Sequence, residues 1–328
     1  MYTELNKLFE AASLSEVEAK TALTKITEGA YNESQVAAFL ATYLIRPITV
    51  EELSGFKNAL LDVCEKVDLK KYQPMDLCGT GGDGKNTFNI STLSAFVIAS
   101  LGVPVAKHGN YGVSSVSGSS NVLEYHNIFF PNTAKEAEEQ LVASNLCFLH
   151  APKFHPAMKA VASIRKQLGV KTFFNMLGPL VNPAEPNIQC TGVFNQSLGR
   201  LYHYLLQTES KQYSVLHDYS GYDEVSLTGT VKVFSYNGEK VLDPADFNTQ
   251  FVRPDEIFGG DDLDSSAAIF LDVIQGKGTK AQNSVVIANS ALALQTYHNH
   301  LTLSECVELT TDALLTQKAY KVFQTLKS

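Results

Sequence analysis

The chain has 328 residues, 45% of them apolar and 18% charged, with 26 basic and 34 acidic side chains for a net charge of −8. A chain of that length buries enough surface to need no disulfide or metal staple, and it is expected to divide into two domains or one domain with an annex. The acidic balance argues against a general nucleic-acid or acidic-membrane binder, since both need a basic face, but it leaves room for a local basic pocket for a small anion.

No apolar run approaches the roughly 18 residues of a membrane span, and no basic start with an apolar stretch follows Met1, so neither a span nor a signal peptide is expected. The five cysteines (Cys64, Cys78, Cys147, Cys190 and Cys306) are scattered and never spaced CxxC. They read as reduced thiols of a cytoplasmic protein, not as a zinc site or a disulfide framework.

Residues 1 to 68 carry helical spacing only. Leu5, Leu8, Phe9 and Ala12 form one stripe, and Ala19, Ala22, Leu23 and Ile26 form a second, ended by Gly29. Val36, Phe39, Leu40 and Tyr43 form a third, stopped before Pro47; Leu53, Phe56, Leu60 and Val63 form a fourth. Asn32-x-x-Gln35 and Thr49-x-x-Glu52 look like helix starts, the second a capping box.

From Met75 the texture changes. Short apolar runs (75–78, 103–106, 146–149, 188–193 and 213–217) are expected strands, and helical spacing recurs at 92–101, 133–144 and 198–207. Strand–helix alternation predicts an α/β domain with a mostly parallel central sheet. Residues 231–236 and 240–242 around Asn237-Gly238 read as an antiparallel hairpin, and 281–294 as a late apolar helix. The expected division is a small all-helical N-terminal domain, 1–68, and a larger α/β domain, 69–328.

The first strand leads into Gly79-Thr80-Gly81-Gly82-Asp83-Gly84-Lys85-Asn86-Thr87-Phe88-Asn89-Ile90-Ser91-Thr92. Two nucleotide motifs match here and both fail. Gly79-x-Gly81-x-x-Gly84 fits the dinucleotide fingerprint, but no helix opens at the third glycine and no acidic residue follows the next strand. Gly79-x-x-x-x-Gly84-Lys85-Asn86 is one residue from a P-loop, yet Asn86 stands where a magnesium-binding Ser or Thr is required. The shared physics remains: glycines let backbone N–H groups approach an anion, and the helix opening near Asn89 favours a phosphate. A plain strand-to-helix turn would need fewer than the four glycines found between 79 and 84.

The second strand runs into Lys107-His108-Gly109-Asn110 and then a Ser/Gly-rich stretch to Ser120. Parallel strands bring both loops to one sheet edge, where α/β ligands bind. Lys107 can neutralise phosphate there.

These blocks resemble the anthranilate phosphoribosyltransferase family of tryptophan biosynthesis. The likeness continues through Ala151-Pro152-Lys153-Phe154-His155-Pro156-Ala157-Met158-Lys159 to Arg165. It runs on through Phe174-Asn175-Met176-Leu177-Gly178-Pro179-Leu180-Val181-Asn182-Pro183 and Gly221-Tyr222-Asp223-Glu224, covering nearly the whole chain in order.

The resemblance implies transfer of phosphoribosyl from phosphoribosyl pyrophosphate (PRPP) to the amine of anthranilate. It implies a nucleoside-phosphorylase-like fold, a homodimer formed through the helical domain, and a helical insertion near 165–185 that packs on that domain. It also implies site roles. Gly79, Gly82, Asp83, Thr87, Asn89, Ile90, Ser91 and Thr92 would hold PRPP, together with Lys107, His108, Gly109, Asn110, Ser114, Ser115 and Ser119. Ser91, Asp223 and Glu224 match magnesium-binding positions, with two ions per subunit expected. Gly79, Asn110 and Arg165 match the anthranilate positions, and Lys107, Asp223 and Glu224 carry the catalytic roles. His108 and His155 are read as positioning groups, since an aromatic amine attacks without much deprotonation.

The chain departs from the family where Tyr111 replaces a usual Arg, Val116 a common Lys, and Ser120-Asn121 an Ala-Asp pair; His126 falls where Leu-Gly is common. Two other readings stand beside this one: a pyrimidine nucleoside phosphorylase, and a non-catalytic relative that binds nucleic acid. The first lacks use for Arg165 and the acidic pair; the second would be basic.

Overall fold

A computed structural model describes residues 1–112 and 116–327. Four helices open the chain: α1 (Tyr2–Phe9), α2 (Glu16–Thr27), α3 (Glu33–Ile45) and α4 (Val50–Asp62). The expected starts of α3 and α4 are both full capping boxes, and Ser15 with Glu18 adds a third at α2. Each satisfies two orphan backbone donors by side-chain oxygens. The first helix is shorter than its stripe, because Ala11 sits at φ 60 and ends it before Ala12.

Helices α2 and α4 cross closely at Gly55, where a Cβ would lie 2.4 Å from Glu16 O and 2.8 Å from Ala19 Cβ. At the rim, buried Glu52 accepts from Leu14 N (2.9 Å), Tyr43 Oη (3.2 Å) and Arg46.

The α/β part contains β1 (Met75–Leu77), α5 (Ile90–Ser100), β2 (Val105–Gly109), α6 (Ser119–Tyr125), α7 (Ala134–Ser144), β3 (Leu146–His150), α8 (Ala151–Phe154), α9 (Lys159–Leu168) and α10 (Phe174–Leu177). It continues with β4 (Ile188–Gly192), α11 (Gln196–Thr208), β5 (Gln212–Asp218), β6 (Val231–Ser235), β7 (Gly238–Leu242), α12 (Leu263–Ile274), α13 (Lys280–Tyr297), α14 (Leu303–Leu315) and α15 (Lys318–Lys327).

The sheet order is β3-β2-β1-β4-β5-β6-β7. The five strands β3, β2, β1, β4 and β5 are parallel, and β6 and β7 add an antiparallel hairpin. The fold class is therefore the one expected. Two details differ. The strand read at 103–106 starts and ends later, at Val105–Gly109. The hairpin turns at Tyr236-Asn237, with Ser235 facing Gly238, which opens β7 at φ 114.

The strand order reverses direction at β1, between β2 and β4. That is the switch point where open α/β sheets bind ligands. The main core lies between the sheet and helices α5, α12, α13, α14 and α15. A second core joins α1 to α4 with Val161, Ile164, Phe173, Phe174, Leu177, Leu180 and Val181. There Phe173 stacks on Phe56 of α4, with ring centroids 4.4 Å apart. Burying each such ring contributes about 1.5–3 kcal/mol. Helices α9 and α10 therefore form a wall fixed to the helical lobe and facing the sheet's switch point.

Candidate active site

A cleft of about 480 Å³ lies between that wall and the carboxyl ends of the strands. Its floor is the glycine loop after β1. Gly81, Gly82 and Gly84 take φ of +61, +76 and +75, a conformation that disfavours side-chain-bearing residues. The loop is tied down at both ends. Thr80 N donates to Gly192 O (2.9 Å), and Asn86 Nδ2 donates to Gly260 O (2.7 Å).

On one side of the loop stands the acidic pair. Gly81 N donates to Asp223 Oδ2 (2.7 Å), Ser91 N to Glu224 Oε1 (3.1 Å) and Thr87 Oγ1 to Glu224 Oε2 (3.4 Å). Two glycines make room for Asp223. A Cβ on Gly79 would lie 2.6 Å from Asp223 Oδ2, and one on Gly192 would lie 1.4 Å from Asp223 O. Burial, then the nearby Asp83, pushes the Asp223 carboxyl above its usual range; burial, then Asp223 itself, does the same to Glu224.

Strand alternation separates two neighbours on β2. Lys107 is 2% exposed, and its Nζ donates to Leu77 O and to Ser91 Oγ (3.3 Å), on the side of β1 and α5. His108 points the other way, with Nδ1 3.0 Å from Gly178 O and its ring 5.3 Å from that of His155. A carbonyl only accepts, so Nδ1 carries the proton and Nε2 is an acceptor. Nε2 is buried and finds no partner among the described residues. Burial lowers the ring's pKa to about 3, so His108 is neutral. His155 Nε2 donates to Val181 O (2.6 Å). Beneath them, Asp76 is fully buried and accepts from His108 N (3.1 Å).

From the opposite wall, α9 presents Arg165, whose guanidinium lies over the Phe174 ring at 5.1 Å and 3.4 Å from Asn175 Oδ1. Gly79, Gly82, Asp83, Thr87, Asn89, Ser91, Thr92, Lys107, His108, Gly109, Asn110, Ser119, Arg165, Asp223 and Glu224 all line this one cleft. Ile90 does not: its side chain is in the main core and its N–H is taken by Phe88 O (2.7 Å). Helical periodicity turns it inward while Ser91 and Thr92 face the cleft. Ser114 and Ser115 lie outside the described residues.

Three departures from the family pattern have local partners. Tyr111 Oη donates to Glu124 Oε1 (2.8 Å). Asn121 Oδ1 accepts from both Gly112 N and Gly118 N at 3.0 Å, gathering the loop as a carboxylate would. His126 Nε2 reaches Ala267 O (3.0 Å) in the core.

Sequence reasoning missed Lys85, Lys159, Phe174 and Asn175 as lining residues. Lys159 and Arg165 lie on one amphipathic helix, a signal that six-residue spacing obscures; Lys85 was visible only as part of a failed P-loop.

No group of three or more His, Cys, Asp or Glu side chains able to hold a metal occurs among the described residues. The donor set still fits magnesium, which binds through one or two carboxylates plus substrate phosphates. Asp223, Glu224 and the Ser91 hydroxyl are such hard donors. Two buried adjacent carboxylates with raised pKa values also call for a compensating cation.

Comparison with known proteins agrees with this geometry. The helical bundle domain of a glycosyl transferase family matches residues 3–64, and that family's a/b domain matches residues 71–320. A protein of Christiangramia forsetii named anthranilate phosphoribosyltransferase is 52% identical over 326 residues, covering 98% of this chain and 97% of its own. One of the same name from Flavobacterium johnsoniae is 50% identical, covering 100% and 99%.

The chain belongs to the anthranilate phosphoribosyltransferase family.

The resemblance seen in the glycine loop and the four later blocks is thereby borne out. The crystal structure of the Thermus thermophilus anthranilate phosphoribosyltransferase superposes with a TM-score of 0.91 at 29% identity, covering 99% of both chains. The Saccharomyces cerevisiae enzyme, in complex with PRPP and Mg, shares the fold with a TM-score of 0.91 at 24% identity, covering 99% of this chain and 96% of its own. Among the described residues, no helix is long and apolar enough to cross a membrane.

Proposed function

We propose that the chain transfers the phosphoribosyl group of PRPP to the amine of anthranilate, releasing pyrophosphate and forming N-(5-phosphoribosyl)anthranilate for tryptophan biosynthesis. One observation carries the reading: an anion loop, a buried lysine and an acidic pair face a guanidinium across a single cleft.

In this reading the pyrophosphate rests on the backbone of Gly79 to Thr87 and over the N-terminus of α5. Lys107 is catalytic: its ammonium, already fixed by Leu77 O and Ser91, faces the departing phosphate oxygens. Asp223 and Glu224 hold magnesium, two ions per subunit, with Ser91. When bound, magnesium supplies positive charge to the leaving pyrophosphate.

Arg165 pairs with the anthranilate carboxylate, with Asn110 and Gly79 shaping the same pocket. That anchor holds the amine near ribose C1, which is catalysis by positioning. As the C1–O bond breaks and positive charge grows on the sugar, the amine lone pair closes the C1–N bond. The nitrogen then sheds its proton easily, and neutral His108 Nε2 offers an acceptor without acting as a strong base.

The organisation proposed with this function is a helical domain, 1–68, that carries the insertion near 165–185, and an α/β domain, 69–328. A homodimer through the helical domain is supported by Tyr2, Phe9, Val17, Leu44 and Ile45, which lie exposed on α1 to α3. A cytoplasmic location is supported by five cysteines that are all unpaired.

Loss of anthranilate fluorescence on adding PRPP and magnesium tests the function. Phosphorolysis of thymidine or uridine in its place would support the nucleoside phosphorylase reading. Salt-sensitive DNA binding without turnover would support the nucleic-acid reading.

A further inference from the structure

The glycine loop is touched from the opposite wall by a residue the donor reading has not used. Lys171 Nζ donates to Gly82 O at 2.5 Å, joining segments 89 residues apart. Its stem runs beside the loop, with Nζ, Cε and Cδ at 3.7, 3.8 and 3.9 Å from where a Gly82 Cβ would stand.

The backbone around Lys171 is held by its neighbours. Gly169 ends α9 at φ +64. Thr172 N donates to Asn175 Oδ1 (3.1 Å), and Phe173 is stacked between Phe56 (4.4 Å) and Phe174 (4.8 Å). Lys171 itself is exposed. An exposed ammonium on a neutral carbonyl is a weak resting contact, because water competes for both groups. A phosphate oxygen is the stronger acceptor, since the hydrogen bond is then between opposite charges.

We propose that Lys171 is a donor-responsive clasp. With the cleft empty of donor it rests on Gly82 O. When PRPP occupies the loop, the ammonium moves onto the pyrophosphate and ties the helical wall to the bound donor. This rests on the donor reading of the glycine loop. It adds to that reading a cation supplied from the other lobe, which holds pyrophosphate only while the lobes are together.

The test uses inorganic pyrophosphate with magnesium as the calorimetric probe, on wild type, Lys171→Met and Lys171→Arg. The expected result is about tenfold weaker binding to Lys171→Met, equal to about 1.4 kcal/mol, with the KM for PRPP rising by a similar factor. The KM for anthranilate at saturating PRPP stays within about twofold. Lys171→Arg restores binding to within about threefold, because charge and reach are kept.

Pyrophosphate affinity of Lys171→Met within twofold of wild type overturns the clasp. So does an equal loss in Lys171→Arg, which would assign the effect to packing. Wild type that binds no pyrophosphate overturns the donor reading as well, and shows it before any variant is compared.

Discussion

Gly192→Ala isolates one contact on which the acidic pair depends. Gly192 ends β4, pairs with Leu216 of β5 and accepts Thr80 N at 2.9 Å. It takes no left-handed conformation, so alanine is compatible with its backbone. The obstacle is contact alone. The added Cβ would stand 1.4 Å from Asp223 O and 2.5 Å from Asp223 C. A carbon and a carbonyl oxygen need about 3.5 Å, so one must retreat by about 2 Å. The strand is held on both sides by the sheet, and Thr80 holds its end. The Tyr222–Glu224 segment is therefore the part that moves.

Overpacking of this kind costs about 1–3 kcal/mol of stability. Displacing catalytic groups by an ångström or more costs on the order of 100-fold in rate. Gly192→Ala should therefore unfold at a modestly lower temperature. It should lose turnover about 100-fold and need more magnesium for half-maximal rate. Steady-state kinetics with a magnesium titration, beside a thermal melt, reads all three. Turnover within threefold of wild type at the same magnesium concentration would refute the claim that this packing positions the pair.

Arg165→Ala should raise the KM for anthranilate about 10- to 150-fold, the loss of a charge-assisted pair worth about 1.5–3 kcal/mol, and leave the KM for PRPP nearly unchanged. A rise in the PRPP KM alone would put Arg165 on the donor. Asp223→Asn with Glu224→Gln should abolish turnover while leaving the melting profile intact, and near-normal turnover with magnesium present would remove the pair from the chemistry. His108 gives a pH signature. Its unfolded ring takes a proton near 6.5, whereas the folded ring, held neutral by burial, resists until about 3. Stability from this residue is thus full above pH 6.5 and is lost as pH falls toward 3. His108→Asn should remove a slope of about 1.4 kcal/mol per pH unit between pH 5 and 6, seen by denaturant titration; an unchanged slope would contradict the buried neutral assignment.

What could be read along the chain was local. The four helical stripes, the helix starts at Asn32 and Thr49, the strand–helix alternation and the glycine loop all state themselves within a few residues, because their physics acts over one turn or one pleat. What could not be read depends on partners distant in sequence. Nothing near Gly192 announces that Asp223 O will press against it, and nothing near Lys171 points to Gly82. The burial of Glu52 requires Leu14 from before α2 together with Tyr43 and Arg46 from the end of α3. Helices α12 and α14 do carry local start signals, Gly259-Gly260 with Asp262 before α12 and Thr302-x-x-Glu305 at α14, but no resemblance block draws attention to them. Ile90 shows the converse limit: a motif carried it into the donor list, while one step of helical rotation put its side chain in the core. The family resemblance reached the cleft as a whole because its blocks lie at the ends of β1, β2 and β5 and on α9, which the fold brings together.

The proposed joining of anthranilate to the ribose of PRPP in this cleft is open to direct measurement. Anthranilate fluorescence and pyrophosphate release followed together, with magnesium and PRPP in excess, test it most directly. One pyrophosphate should be released per anthranilate consumed, with no loss of fluorescence when PRPP or magnesium is left out. Pyrophosphate released at the same rate with and without anthranilate, its fluorescence unchanged, would contradict it.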